Sequence, residues 1–159
     1  MFIGKRVIAF SYHHTKYCII GGGTGGLNTA SHLLRSNVRP TDIRIFEPAE
    51  YHYYQPGWTM IGFNMVEPEP TRKRMEDVIP EQAHWTKERV ARIDPSKNLL
   101  VTNRGHEFHY DQLIISTGYQ HDWDKIKGAK ELLEDPKSGV CSIYEYQHSM
   151  KTGKIGEKL

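Results

Sequence analysis

From residue 16 onward, hydrophobic and polar positions fall into a regular order. Tyr17-Cys18-Ile19-Ile20 is a short, continuously apolar run closed by glycines, the pattern of a strand buried on both faces within a parallel sheet. Beyond the glycines, Leu27, Ala30, Leu33 and Leu34 recur at helical spacing until Ser36-Asn37 and Pro40 end the helix. Ile43 to Phe46 reads as a second strand, stopping at Glu47-Pro48. Strand, glycine turn, helix and strand make one βαβ unit, whose crossover should be right-handed.

The middle of the chain, Tyr51 to Pro80, is rich in aromatics and prolines and weakly periodic, so it predicts an extended excursion with a short helix near Thr71 to Val78. Alternation then resumes. Trp85–Ile93, a turn at Asp94 to Asn98, Leu99–Thr102, a turn at Asn103-Arg104-Gly105 and Glu107–Tyr110 predict an antiparallel meander. Gln112 to Ser116 reads as a further apolar strand closed by Thr117-Gly118, and the remainder is polar, broken by glycine and proline. The expected class is α/β, a parallel sheet with an antiparallel β-meander.

With 159 residues the default is one compact domain, and 25% charged with 38% hydrophobic residues is ordinary for a globular chain. The net charge of +2, with basic residues scattered among acids from Asp42 onward, gives no stripe for a row of phosphates, so no nucleic-acid partner is expected. No apolar run approaches the roughly 18–20 residues of a membrane span. Cys18 and Cys141 lie far apart without a CxxC, and the nine histidines are dispersed, so neither a disulfide framework nor a metal site is expected. Charge is uneven, however: residues 1–41 hold Lys5, Arg6, Lys16, Arg35 and Arg39 but no acid. The basic, acid-free leader over residues 1–15 has two readings, a short mitochondrial transit peptide and a frayed terminus. Either way residues 1–15 should be unstructured against the core, with the domain running over 16–159.

The chemistry begins at Gly21-Gly22-Gly23-Thr24-Gly25-Gly26, where Gly21, Gly23 and Gly26 form a G-x-G-x-x-G between a predicted strand and a predicted helix. Gly21 permits the tight turn, Gly23 lets backbone approach a pyrophosphate, and Gly26 lets helix and strand pack closely. Glu47, 21 residues after Gly26, stands where an acid accepts hydrogen bonds from the adenosine ribose. This fingerprint fits NAD or FAD. Tyr110 to Gly118, an aspartate-led strand ending in Thr117-Gly118, resembles the second FAD contact of flavoproteins with two dinucleotide domains. Val90, before Ile93-Asp94, stands where that class clasps adenine with its backbone, and FAD is the better cofactor.

The run Glu47-Pro48-Ala49-Glu50-Tyr51-His52-Tyr53-Tyr54-Gln55-Pro56-Gly57-Trp58-Thr59 resembles the EPS-x-H-x-YQP-x-WT segment of the sulfide:quinone oxidoreductase family. Val78-Ile79-Pro80, Asp124 to Gly128 and Gly139-Val140-Cys141-Ser142 with Tyr144 follow in the same order as in that family. The resemblance implies a Rossmann-like FAD/NAD(P)-binding domain, FAD as cofactor, and Gln55 and Pro56 near the flavin. It also implies oxidation of hydrogen sulfide with electrons passed to ubiquinone, at the mitochondrial inner membrane. Cys141 resembles the first redox-associated cysteine of bacterial members, with an inert or accessory thiol as the other reading; Cys18 reads as a small core residue. Family members continue beyond the equivalent of Leu159 through a second dinucleotide domain, a later cysteine pair and membrane-contacting helices. The chain is therefore expected to be the truncated, FAD-binding N-terminal part, inactive alone, with membrane association only through the missing part. The alternatives are an NADH:quinone-type flavoprotein of the same fold and a non-catalytic FAD-binding fragment.

Overall fold

The structure, a computed structural model, describes residues 13–157. In chain order the elements are β1 (His13–Ile20), α1 (Thr24–Arg35), β2 (Ile43–Phe46), β3 (Tyr51–Tyr53), α2 (Pro56–Gly62), β4 (Arg72–Arg74), α3 (Met75–Val78), β5 (His84–Thr86), β6 (Val90–Asp94), β7 (Leu99–Thr102), β8 (Glu107–Ile115), α4 (Ala129–Glu134) and α5 (Tyr146–Gly156). The chain divides into two compact units, one running to Pro48 and resuming over Pro80–Thr117, the other comprising Ala49–Ile79 and the residues from Gly118.

The first unit holds a six-stranded sheet in the order β5-β2-β1-β8-β7-β6. β1 lies parallel to β2, with Tyr17 opposite Ile43 and Ile20 opposite Phe46, and parallel to β8, with Ile20 opposite Ile115. β5 extends the parallel part beside β2, while β7 and β6 continue antiparallel from β8. β5 and β6 stand at opposite ends of this order, yet only Lys87, Glu88 and Arg89 separate them. A flat six-stranded sheet would place its edges roughly 24 Å apart, whereas four Cα steps reach at most about 15 Å. The sheet must therefore curl until its edges meet at this turn.

Cys18, Ile20, Phe46, Leu100, Phe108 and Tyr110 form one buried cluster, with Phe46 edge-on to Phe108 at 5.0 Å between ring centres. Each large apolar side chain so buried contributes about 1.5–3 kcal/mol. α1 forms the crossover between β1 and β2, buries Ala30, and ends as its sequence dictates. Asn37 takes a left-handed φ of 61°. The Asn37 and Val38 amides then donate to the Leu34 and Leu33 carbonyls, both at 3.1 Å, closing the last turn.

In the second unit β3 and β4 pair antiparallel, and α2 packs on α5. Small residues permit that approach: a Cβ on Gly153 would stand 2.9 Å from the Ile61 carbonyl oxygen, and Asn64 Nδ2 donates to the Gly153 carbonyl at 3.0 Å. Lys151 Nζ donates to the carbonyls of Leu132 at 2.7 Å and Asp135 at 2.6 Å, satisfying the C-terminal end of α4.

The α/β class and the βαβ unit are as the pattern predicts, and β2 and β7 occupy the expected residues. Four expectations are corrected. His13, His14 and Thr15 belong to β1, with Thr15 opposite Tyr110 and buried, so the unstructured leader does not reach residue 15; the targeting reading of residues 1–15 falls, over residues 1–12, outside the described residues. The single strand expected over Trp85–Ile93 is two strands, because the chain leaves the parallel edge after Thr86 to join the antiparallel edge at Val90. The two strands expected over Glu107–Tyr110 and Gln112–Ser116 are one, since the exposed Asp111 points away from the core and accepts from His14 Nε2 at 2.8 Å. The helix expected over Thr71 to Val78 shrinks to α3, because Arg72–Arg74 pair with Tyr51–Tyr53. α2 and α5 carry no clean apolar stripe and were not expected.

Candidate functional site

The ends of β1, β2 and β8 converge on the glycine loop. The Gly21 amide donates to the Phe46 carbonyl at 2.9 Å and the Ser116 amide to the Ile20 carbonyl at 2.8 Å. Ser116 Oγ also donates to the Ile20 carbonyl at 2.9 Å. Gly21 has φ 104°, and a Cβ there would lie 2.4 Å from the Ser116 carbonyl oxygen. A Cβ on Gly26 would lie 1.9 Å from the Gly21 carbonyl oxygen. Gly21 is thus required by its left-handed φ and the approach of the β8 end, and Gly26 by the close passage of α1 over the loop. Gly25 is under less pressure, its Cβ position standing 3.4 Å from Ser116 Cβ.

Gly23 differs. Its φ of −72° suits any residue, and a Cβ built on it would meet nothing within 4 Å. Packing does not ask for glycine here; a ligand drawn close to the backbone would. Gly23 is the N-cap of α1, followed by Thr24, and the helix start has neither a side-chain cap nor an acidic residue in its first turn. Its N–H groups and partial positive charge remain directed outward, as a pyrophosphate requires.

Glu47 is fixed at the end of β2. Its amide donates to the Thr86 carbonyl at 3.1 Å, its carbonyl accepts from Trp85 Nε1 at 2.9 Å, and carboxylate Oε2 accepts from the Gly22 amide at 2.8 Å. A carboxylate held beside the glycine loop accepts hydrogen bonds from ribose hydroxyls and repels a 2′-phosphate. Ile20, Gly21, Phe46, Glu47, Pro48, Arg89, Val90 and Thr117 line a cleft of about 260 Å³. Val90 opens β6 opposite Thr102. Beyond Thr117, Gly118 has φ 69°, a conformation that favours glycine. The donor set, the helix start and the open Gly23 position fit an adenine dinucleotide.

The structure thus gathers Gly21 to Gly26, Glu47, Val90 and Thr117 in one unit. Gln55 and Pro56 belong to the other, where Gln55 Nε2 donates to the Tyr119 hydroxyl and Pro56 begins α2. Cys141 is an exposed free thiol of that second unit. Cys18 is buried, and burial pushes its thiol up to about 12, the Arg44 guanidinium pulling only partly the other way. Sequence reasoning missed Ser116, Trp85 and Arg89. Ser116 had a signal in standing just before Thr117-Gly118; Trp85 and Arg89 act only once three strand ends meet. Among the described residues no group of three or more His, Cys, Asp or Glu side chains is disposed to hold a metal ion, and no helix is long and apolar enough to cross a membrane.

Strand ends, glycine turn and helix start define a dinucleotide-binding α/β unit. Residues 15–153 match the family model described as pyridine nucleotide-disulphide oxidoreductase, and the chain belongs to that family of FAD-binding flavoproteins. It is 44% identical over 145 residues to the mitochondrial sulfide:quinone oxidoreductase of Dictyostelium discoideum, covering 91% of this chain and 32% of that protein. It is 37% identical to the mitochondrial sulfide:quinone oxidoreductase of Mus musculus, covering 89% and 31%. The X-ray structure of the sulfide:quinone oxidoreductase from Aquifex aeolicus shares the fold, with a TM-score of 0.67 at 24% identity, covering 92% of this chain and 32% of that one. The chain spans about a third of the length of these curated relatives.

Proposed function

We propose that this chain is the FAD-binding part of a sulfide:quinone oxidoreductase and that its first unit holds the adenosine and pyrophosphate of FAD. The observation that carries the reading is the glycine loop: Gly21 and Gly26 are needed for packing, whereas Gly23 leaves open space in front of a helix start. The α1 N–H groups receive the pyrophosphate, Glu47 accepts from the ribose hydroxyls, and the Arg89-Val90 backbone and Thr117 border the adenosine. Gln55, Pro56 and Gly118 are proposed as further FAD contacts on the strength of the family resemblance alone. When bound, FAD would supply the two-electron redox chemistry. In the complete enzyme, sulfide would be oxidised and two electrons passed to ubiquinone. The mitochondrial relatives support a mitochondrial location.

The decisive measurement is equilibrium titration of the chain with FAD, NADH and NADPH, following flavin fluorescence and competition. FAD should bind in preference to both. Preference for NADPH would overturn the assignment, because a 2′-phosphate should not be accepted beside Glu47. Sulfide-dependent quinone reduction by this chain with added FAD should be absent; turnover abolished by Cys141→Ser would instead make Cys141 catalytic.

A further inference from the structure

We propose that Glu88 is a positioning residue for the dinucleotide cleft, a buried carboxylate that ties the turn carrying Arg89 and Val90 to the tip of the β7–β8 hairpin; the assignment rests on the FAD reading of that cleft. Glu88 stands at the seam where the curled sheet brings its edges together, and only 9% of it is exposed. Its amide donates to the Thr86 carbonyl at 2.8 Å. Its two carboxylate oxygens each lie 3.0 Å from His106 Nδ1, and Arg104 stands 3.8 Å away. The Thr102 hydroxyl oxygen accepts from the amides of Arg104 at 3.3 Å and His106 at 3.2 Å, which leaves its proton for Glu88.

The next residue is gripped by the same hairpin. The Arg89 amide donates to Asn103 Oδ1 at 3.1 Å, and the Asn103 amide donates to the Arg89 carbonyl at 2.8 Å. Arg89 and Val90 then form one wall of the cleft, facing Glu47 and Gly21. A three-residue turn joining two sheet edges has little packing of its own to fix its backbone. The hairpin supplies that restraint, and Glu88 is the group through which its tip takes hold. Burial alone would push the Glu88 carboxyl up; hydrogen bonds from Thr102 and His106, with the charges of His106 and Arg104, outweigh burial and hold it below its ordinary value. The ionised carboxylate is the state that the hairpin tip favours.

The test uses the full 159-residue chain and two readouts: FAD affinity, and hydrogen exchange of the Arg89 and Val90 amides without ligand. Glu88→Gln keeps the shape but removes the charge. It should weaken FAD roughly tenfold and speed exchange at Arg89 and Val90. Ile19→Val, a fully buried change on β1, lowers general stability and should alter neither readout. If E88Q leaves local exchange or FAD affinity at the wild-type value, the positioning role is overturned. If E88Q does not fold, His106→Ala carries the same test, because the His106 side chain is 58% exposed and its loss spares the core; no change in either readout then overturns the proposal. Failure of the wild-type chain to bind FAD would overturn the cofactor reading itself, and is distinguished because exchange is measured without ligand.

Discussion

Gly26→Ala and Gly23→Ser separate the two jobs of the glycine loop. At Gly26 a Cβ would sit 1.9 Å from the Gly21 carbonyl oxygen and 3.0 Å from Ser116 Oγ. Restoring even a 3.0 Å approach to the carbonyl requires α1 and the loop to part by about 1.1 Å. The first obstacle is backbone held between β1 and β2, so it cannot swing aside as a side chain would. Overpacking of this kind costs about 1–3 kcal/mol or more, and the gain from alanine over glycine inside a helix returns at most about 1 kcal/mol. A net loss near 2 kcal/mol should lower the melting temperature by roughly 4–8 °C in a chain of this size, and FAD affinity should fall as well. Gly23→Ser places its Cβ in open space and supplies a good N-cap, so stability should hold or rise by a few tenths of a kcal/mol. Its side chain nevertheless occupies the approach to the helix start, and FAD binding should be lost. Thermal denaturation by circular dichroism and flavin titration on both variants decide the matter. A G26A chain as stable as wild type would refute the packing argument, and a G23S chain with full FAD affinity would refute the phosphate assignment.

Glu47→Gln retains the side chain's size but should weaken FAD by about 1–3 kcal/mol through loss of charge-assisted ribose hydrogen bonds, read by the same titration. Glu88, faced by His106, Arg104 and the Thr102 hydroxyl, has its carboxyl held below the ordinary value. Its contribution to stability is therefore complete above the ordinary carboxylate range and is lost as pH falls below it, so urea denaturation from pH 7 to pH 3 should show a steeper acid decline for wild type than for E88Q. Native labelling at pH 8 should modify Cys141 and spare Cys18, with both reacting after denaturation; rapid labelling of Cys18 in the folded chain would contradict its burial. Removal of residues 1–12 should leave a reporter fusion cytosolic if those residues are a transit peptide, and unchanged import would count against that role.

The βαβ unit was legible because each of its residues faces one demand at a time. Ile19, Ile43 and Ile45 are fully buried, and a continuous apolar run says so directly. Glycines at fixed spacing mark the turn, and Asn37 with Pro40 marks the helix end. What stayed hidden depends on pairing at a distance. Trp85 to Ile93 alternates well enough for a strand, but nothing local reveals that Thr86 ends one sheet edge while Val90 begins the other. His13 to Thr15 look like polar leader until Phe108 and Tyr110 are brought beside them; His13 then stacks on Phe108 at 5.1 Å between ring centres, and Arg44 Nε donates to Thr15 Oγ1 at 3.2 Å. The cleft follows the same division. Its glycines and Glu47 carry a motif, whereas Ser116, Trp85 and Arg89 matter only through the convergence of strand ends.

That convergence also limits which thiols can serve sulfur chemistry. Cys18 lies in β1, between β2 and β8, with no exposed surface. With its thiol pushed up to about 12 by burial, Cys18 stays protonated at pH 8. Bringing it to a disulfide partner would mean breaking the ladder that positions Gly21 and Ser116, and so dismantling the cleft it borders. Cys141 has the opposite character, exposed and without a bonded partner. A sulfur relay between two cysteines needs two accessible thiols within reach of each other, and in the folded chain Cys18 cannot be one of them. If Cys141 takes part in sulfide oxidation, its partner must be a cysteine other than Cys18.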